Sequence, residues 1–93
     1  MFDNHFMSND KIQEWIINWF IDNTDAKPDT VKSNLSANYL GIGWIDSFRF
    51  IAFITEIEDH FKIKFSNDEF QNRNFGTIKG ISEILRKKEN VKI

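Results

Sequence analysis

The stretch Gly43-Trp44-Ile45-Asp46-Ser47-Phe48 comes directly before the most regular helical pattern in the chain. Residues 47–61 carry apolar side chains at helical spacing. Those predicted to face a core are Phe50, Phe53, Ile54, Ile57 and Phe61. Asp46 can cap this helix by accepting from the free N–H groups of its first turn. Ser47 is then placed where those N–H groups and the positive end of the helix dipole favour an attached anion, such as a phosphodiester.

Two bulky apolar side chains are predicted to project beside Ser47 and away from the core face. They are Phe48 and Ile51. The same side of the helix continues with three further residues, Thr55, Glu58 and Asp59. Exposed apolar residues beside a serine, with acids further along the helix, form a candidate partner-docking surface. The alternative is that the long loop before the helix covers Phe48 and Ile51.

Cap signals and spacing predict the other helices. A first helix is expected over about residues 9–22, with Ser8 as its N-cap. A short third helix follows the capping-box sequence Ser66-Asn67-Asp68-Glu69, and a fourth begins near Thr77. The sequence therefore predicts an all-α fold, a small four-helix bundle of three main helices and one short one. A long loop joins helices 1 and 2, and its scattered apolar residues are expected to pin it against the bundle: Val31, Leu35, Tyr39, Leu40 and Ile42.

Composition excludes several classes of protein. The chain has no Cys, which excludes disulfides, thiolate metal sites and a cysteine nucleophile. No apolar run approaches the roughly 18 residues of a membrane span, and the N-terminus lacks the pattern of a signal peptide. A pI near 5.6 is unlike that of a nucleic-acid-binding domain. We expect a soluble, cytoplasmic monomer that binds no nucleic acid, with residues 1–7 as a flexible leader and residues 89–93 as a tail.

The sequence does not support a hydrolytic or metal site. A hydrolase needs a base within about 3 Å of its serine. His60 lies on the same predicted helix as Ser47, about 20 Å away at 1.5 Å per residue. His5 lies in the predicted leader, and no carboxylate pair accompanies either His at a ligand spacing. We therefore predict a non-catalytic protein without a metal ion.

The segment Leu40-Gly41-Ile42-Gly43-Trp44-Ile45-Asp46-Ser47-Phe48 resembles the modification site of acyl and peptidyl carrier proteins, whose signature is a Gly-x-Asp-Ser-Leu type sequence. The resemblance continues through Glu56-Ile57-Glu58-Asp59-His60-Phe61-Lys62-Ile63 and Asn74-Phe75-Gly76-Thr77-Ile78. These elements look most like those of stand-alone carriers of the D-alanyl-carrier type or of specialised biosynthetic clusters. The resemblance implies that residues 8–88 form an acyl-carrier-like domain.

What this resemblance implies is a 4′-phosphopantetheine arm on Ser47, added from coenzyme A by a phosphopantetheinyl transferase. The arm would supply the thiol that the sequence lacks and would hold an acyl or aminoacyl group as a thioester. Asp46 would help to bind magnesium during the transfer. The further partners implied are an acyl- or aminoacyl-loading enzyme and a downstream acyltransferase or synthase.

The chain also departs from fatty-acid carriers of this kind. They often have acids close after the serine on this helix, where this chain has Arg49 and Ala52, whereas Phe48 in place of the usual Leu is conservative. We infer a dedicated pathway and not housekeeping fatty-acid synthesis. The alternative function is a helical protein–protein interaction adaptor without a prosthetic group. Trp15 and Trp19 would then be candidate contact residues, although their spacing favours a core role.

Overall fold

The computed structural model describes residues 4–88, with side chains described from residue 11 onward. The predicted all-α bundle is confirmed. Its elements follow in the order α1 Asn4–Asn23, α2 Pro28–Lys32, α3 Ser47–Phe61, α4 Asn67–Gln71, a 3₁₀ helix Arg73–Gly76, and α5 Ile78–Lys87. Within the described range the only extended pairing is an isolated bridge between Asn38 and Thr77.

The first helix begins earlier than the sequence indicates. Because α1 starts at Asn4, the predicted N-cap at Ser8 is wrong, and residues 4–7 of the predicted leader are helical. The pattern misplaced the boundary because this stretch lacks the regular apolar spacing that marks a helix. Residues 1–3 of the predicted leader and the predicted tail 89–93 lie outside the described residues.

The long connection between α1 and α3 contains a short helix that the sequence analysis did not predict. Pro28 lies in the first turn of α2, where its missing N–H costs nothing, and Val31 is fully buried. Tyr39 is also fully buried, so these two residues do pin the connection. Leu40 and Ile42 were expected to do the same but are exposed.

Aromatic rings join α1, the connection and α3 in the centre of the bundle. Phe20, Tyr39 and Phe53 are each fully buried. Their ring centroids lie 5.2 Å apart for Phe20 and Tyr39, 5.1 Å for Phe20 and Phe53, and 5.6 Å for Tyr39 and Phe53. Contacts of this kind favour one arrangement of the three segments. The N-terminal end of α3 is thereby fixed relative to α1.

The beginning of α5 is tied to the same connection. Thr77 caps α5, its Oγ1 accepting from the Gly80 N–H at 2.9 Å. Lys79 N donates to the Leu35 carbonyl at 2.9 Å, and Tyr39 N donates to the Gly76 carbonyl at 3.0 Å. The connection is therefore held at its middle as well as at its two ends.

Candidate functional site

The predicted cap of α3 is confirmed. Asp46 is the N-cap residue, in extended conformation, and its Oδ1 accepts from the Arg49 N–H at 2.8 Å. Ser47 is the first residue of α3 and is exposed to solvent. The helix runs to Phe61, as its apolar spacing predicted. The serine hydroxyl thus lies at the N-terminal end of a helix of 15 residues.

A contact that sequence reasoning missed joins this turn to α1. The Arg49 guanidinium donates to the carbonyl oxygen of Asn23, the last residue of α1. A cation at a helix C-terminus is favourable because it offsets the partial negative charge of the terminal carbonyls. No local signal could have revealed this pair, since the two residues are far apart in the sequence. The turn that carries Ser47 is consequently fixed by both the backbone and the side chain of Arg49.

A shallow groove lies beside this turn, between the end of α1 and the segment before α3. Its lining residues are Asp22, Asn23, Thr24, Asp25, Leu40, Gly43, Trp44, Ile45, Asp46 and Arg49. Among the described side chains, no group of three or more His, Asp or Glu residues is placed to hold a metal ion. A cation near Asp46 would therefore need further ligands from outside the protein, as Mg²⁺ commonly obtains from substrate phosphates.

The two apolar residues predicted to flank the serine are exposed. Phe48 is 86% and Ile51 is 64% accessible, so the alternative that the long loop covers them is wrong. Thr55 and Asp59 are also exposed on α3. The exposure of Leu40 and Ile42 adds apolar surface in the segment just before the serine. Sequence reasoning missed it, because a loop residue's burial depends on tertiary packing.

Glu58 differs from the other predicted docking residues. It is half-buried, and its Oε2 accepts from the Phe65 N–H at 3.0 Å in the connection between α3 and α4. Lys64 Nζ lies 4.0 Å from Glu58 Oε1. This carboxylate therefore stabilises the end of α3, a role that its spacing on the helix did not indicate.

Trp19 packs in the bundle core, whereas Trp15 is half-buried and His60 is exposed. Trp19 is buried, and its Nε1 donates to Glu56 Oε1 at 3.1 Å. Trp15 is half-buried and stacks on His60, with ring centroids 4.8 Å apart. His60 thus belongs to the last turn of α3, at the end opposite Ser47.

Comparison with protein-family models matches residues 14–85 to the phosphopantetheine attachment site family. The chain belongs to this family. The resemblance to acyl and peptidyl carrier proteins is confirmed. Members of the family are generally non-catalytic carriers, and they bear 4′-phosphopantetheine covalently attached to a serine. They work with a phosphopantetheinyl transferase and with biosynthetic enzymes. No curated protein and no solved structure matched the chain.

The N-terminus of α3 fits a phosphate-linked group in this carrier. The serine hydroxyl is accessible, and the Asp46 side chain occupies the Arg49 N–H but not the N–H groups earlier in the turn. Those groups have no partner within a helix, so they favour an attached anion. No helix within residues 4–88 is long and apolar enough to span a membrane.

Proposed function

We propose that the protein carries an acyl or aminoacyl group as a thioester on 4′-phosphopantetheine attached to Ser47, and presents it to partner enzymes. The observation that carries the proposal is the exposed position of Ser47 as the first residue of a capped helix, within the segment that matches the family. When bound, the group supplies the thiol that a chain without Cys lacks. The residues around Ser47 hold its turn in place and meet the partner.

Asp46 is proposed to act twice at this turn. Its Oδ1 accepts from the Arg49 N–H, which leaves Oδ2 available as a ligand for magnesium during the transfer from coenzyme A. Mg²⁺ is usually held by one or two carboxylates together with substrate phosphates. A single exposed carboxylate beside the serine suits that arrangement, because coenzyme A brings the phosphates.

Partner enzymes are proposed to dock on the exposed side of α3 next to Ser47. The surface consists of Phe48, Ile51, Thr55 and Asp59, with Glu58 contributing at its half-buried edge. We propose as partners a phosphopantetheinyl transferase, an acyl- or aminoacyl-loading enzyme, and a downstream acyltransferase or synthase. The cation at Arg49 and the neutral Ala52 favour partners of a dedicated pathway over those that read a strongly acidic helix.

The test is enzymatic modification followed by intact-mass measurement. The protein is incubated with coenzyme A, magnesium and a promiscuous phosphopantetheinyl transferase. We expect a single phosphopantetheine adduct on the wild type and none on Ser47→Ala. Ser36→Ala, at an exposed serine outside the helices, is the matched control and should be modified like the wild type.

The same experiment separates the carrier from the alternative. A folded wild type that stays unmodified would contradict the proposal and favour a helical interaction adaptor, which could use the exposed Phe48 and Ile51 without any prosthetic group. An adduct retained on Ser47→Ala would show that another residue is the attachment site.

A further inference from the structure

A polar groove runs between α1, the segment after α2, and α5. Its charged lining residues are three cations, Lys32, Lys79 and Arg86, and one acid, Glu83. These residues carry a formal charge of +2, three positive minus one negative, whereas the whole chain carries −2. The groove therefore concentrates positive charge on a mildly acidic protein.

Among the described residues, no acid lies within ion-pair distance of the cations of this groove. The ion pairs among the described residues are Lys64 with Glu58 and Lys88 with Glu69. Both lie at a different groove, where the ends of α3 and α5 meet. Three basic residues lie at the end of α5: Arg86, Lys87 and Lys88. Lys88 pairs with Glu69, whereas Arg86 lines the polar groove, which we call the α1–α5 groove. Lys32, Lys79 and Arg86 form no ion pair with another described residue and are available to an outside anion.

Two internal hydrogen bonds lie between and beneath these cations. The Lys79 N–H donates to the Leu35 carbonyl at 2.9 Å, which joins two walls of the groove. The buried Ser82 hydroxyl donates to the Ile78 carbonyl at 2.7 Å. The groove is therefore preformed, and its capacity to bind comes from the exposed cations Lys32, Lys79 and Arg86. Such a surface suits an extended acidic chain better than a small ligand that must be enclosed.

We propose that the α1–α5 groove docks an acidic segment of a partner protein, whose carboxylates meet Lys32, Lys79 and Arg86. It shares no lining residue with the groove beside Ser47, so a partner held there leaves the serine free. Binding at this groove depends on charge and position and not on the modification of Ser47. Exposed ion pairs are individually weak and screened by salt, so the complex is a transient one.

The probe is a short, fluorescently labelled peptide of alternating Glu and Ala, titrated into the full chain and followed by anisotropy. The groove variant is Lys79→Gln with Arg86→Gln, both at exposed positions. We expect it to weaken peptide binding about three- to tenfold, because each exposed ion pair contributes less than tenfold. The matched control, Lys62→Gln with Lys64→Gln, removes the same charge from the other groove and should change binding by less than about twofold.

Amide chemical shifts locate the peptide. Shifts confined to Leu35, Lys79 and Ser82 support the proposal. If both double variants weaken peptide binding equally, or if the shifts spread over all the lysines, the peptide is held by diffuse electrostatic attraction and the proposed docking in the groove is wrong. Inorganic phosphate or anionic vesicles that shift the same amides at lower concentration than the peptide would show that the groove binds a phosphate group or a lipid surface instead of an acidic segment.

The groove variant should be modified on Ser47 at the wild-type rate, and a slower rate would contradict the separation of the two surfaces.

Discussion

Asp46 caps α3, and we propose that the same side chain also takes part in the transfer chemistry. Its Oδ1 accepts from the Arg49 N–H and so caps the N-terminus of α3. The exposed serine follows immediately, so the cap also sets where the hydroxyl lies. Structural and functional contributions at this position can be separated by comparing two substitutions.

Asp46→Ala should destabilise the protein by about 1 kcal/mol, since it removes the cap. Asp46→Asn keeps an amide oxygen that caps about equally well, so its stability should stay within about 0.5 kcal/mol of the wild type. Both variants should slow the transferase reaction at limiting magnesium, because both lose the carboxylate. Urea unfolding and the rate of mass gain measure the two effects. Wild-type transfer rates for Asp46→Asn would contradict a role of the carboxylate in binding magnesium.

Residues whose role depends on local chain order were predictable from the sequence, and residues whose partner is distant were not. Asp46 and Ser47 are neighbours at a helix start, so cap chemistry alone placed them. The Arg49 guanidinium donates to the Asn23 carbonyl, and the Glu58 carboxylate accepts from the Phe65 N–H, contacts that exist only because the chain folds back on itself. Spacing on one helix gave no information about either pair.

Among the elements, α5 is placed by an unusually close approach to the 3₁₀ helix. A Cβ built on Gly80 would lie 1.9 Å from the Asn74 carbonyl oxygen and 2.7 Å from its carbon. Both are backbone atoms, which cannot move without shifting the 3₁₀ helix. Glycine is therefore required at this position for reasons of space.

Gly80→Ala should destabilise the protein by more than about 2 kcal/mol, because the added methyl group overpacks the contact. The sign of this change in stability is informative, since Gly→Ala inside a helix normally stabilises a protein by about 0.5–1 kcal/mol. Gly41→Ala is the control: its added Cβ would find its nearest neighbours at 3.5 Å, an ordinary contact. Thermal melts of the two variants test this, and a Gly80→Ala protein as stable as Gly41→Ala would be inconsistent with the close approach.

The short helix α4 is held by Glu69. This residue completes the capping box with Ser66, and both its carboxylate oxygens accept from Lys88 Nζ, at 2.8 and 3.1 Å. Partial burial raises the pKa of the Glu69 carboxyl, but the hydrogen bonds from Lys88 and Ser66 outweigh it. They hold the pKa below its ordinary 4.5. The ionised carboxylate thus joins α4 to the end of α5.

This pair predicts a defined pH dependence. Because the folded-state pKa is depressed, the stabilisation is fully present above the ordinary pKa of 4.5 and is lost as the pH falls through the folded value. Lys88→Gln should therefore lower the free energy of unfolding at neutral pH, and its difference from the wild type should shrink in acid. Lys87→Gln, at an exposed neighbour, should show little difference at either pH. Urea titrations across the acid range measure this, and a difference for Lys88→Gln that is independent of pH would rule out the pair as its source.

The helices α3, α4 and α5 were predictable because their signals are local, whereas α2 was not. The ends of α3 and the capping box of α4 are encoded in consecutive residues. α2 has only five residues, too few for a periodic pattern, and its burial of Val31 depends on the core beneath it. The beginning of α1 was misplaced for a related reason, since the residues there lack a regular apolar spacing.

For the whole molecule, the distribution of apolar residues separates an interior from a contact surface. The interior is built around Phe20, Tyr39 and Phe53, all fully buried. Phe48 and Ile51, on the same helix as Phe53, face solvent. The 3.6-residue period of α3 predicted this division, while the burial of Tyr39 within a loop could only be seen in the folded chain.

Ile51→Asp and Phe53→Ala should therefore have opposite effects. The first should leave the melting curve close to that of the wild type and should weaken modification or loading by partner enzymes, because it places a charge on the proposed docking surface. The second should cost about 3–5 kcal/mol by leaving a cavity in the aromatic cluster. Circular dichroism melts and transferase kinetics measure both. Loss of cooperative melting in Ile51→Asp would show that this residue belongs to the core.

The contact between Arg49 and the Asn23 carbonyl has a consequence for how far a cargo held at Ser47, as proposed, could travel. It joins the turn of Ser47 to the end of α1, which the aromatic cluster in turn holds against α3. The turn of Ser47 therefore has little freedom of its own. If Ser47 bears the tether as proposed, the reach of its cargo is set by the length of that tether, and delivery to a more distant enzyme would require the entire carrier to dissociate, diffuse and bind again.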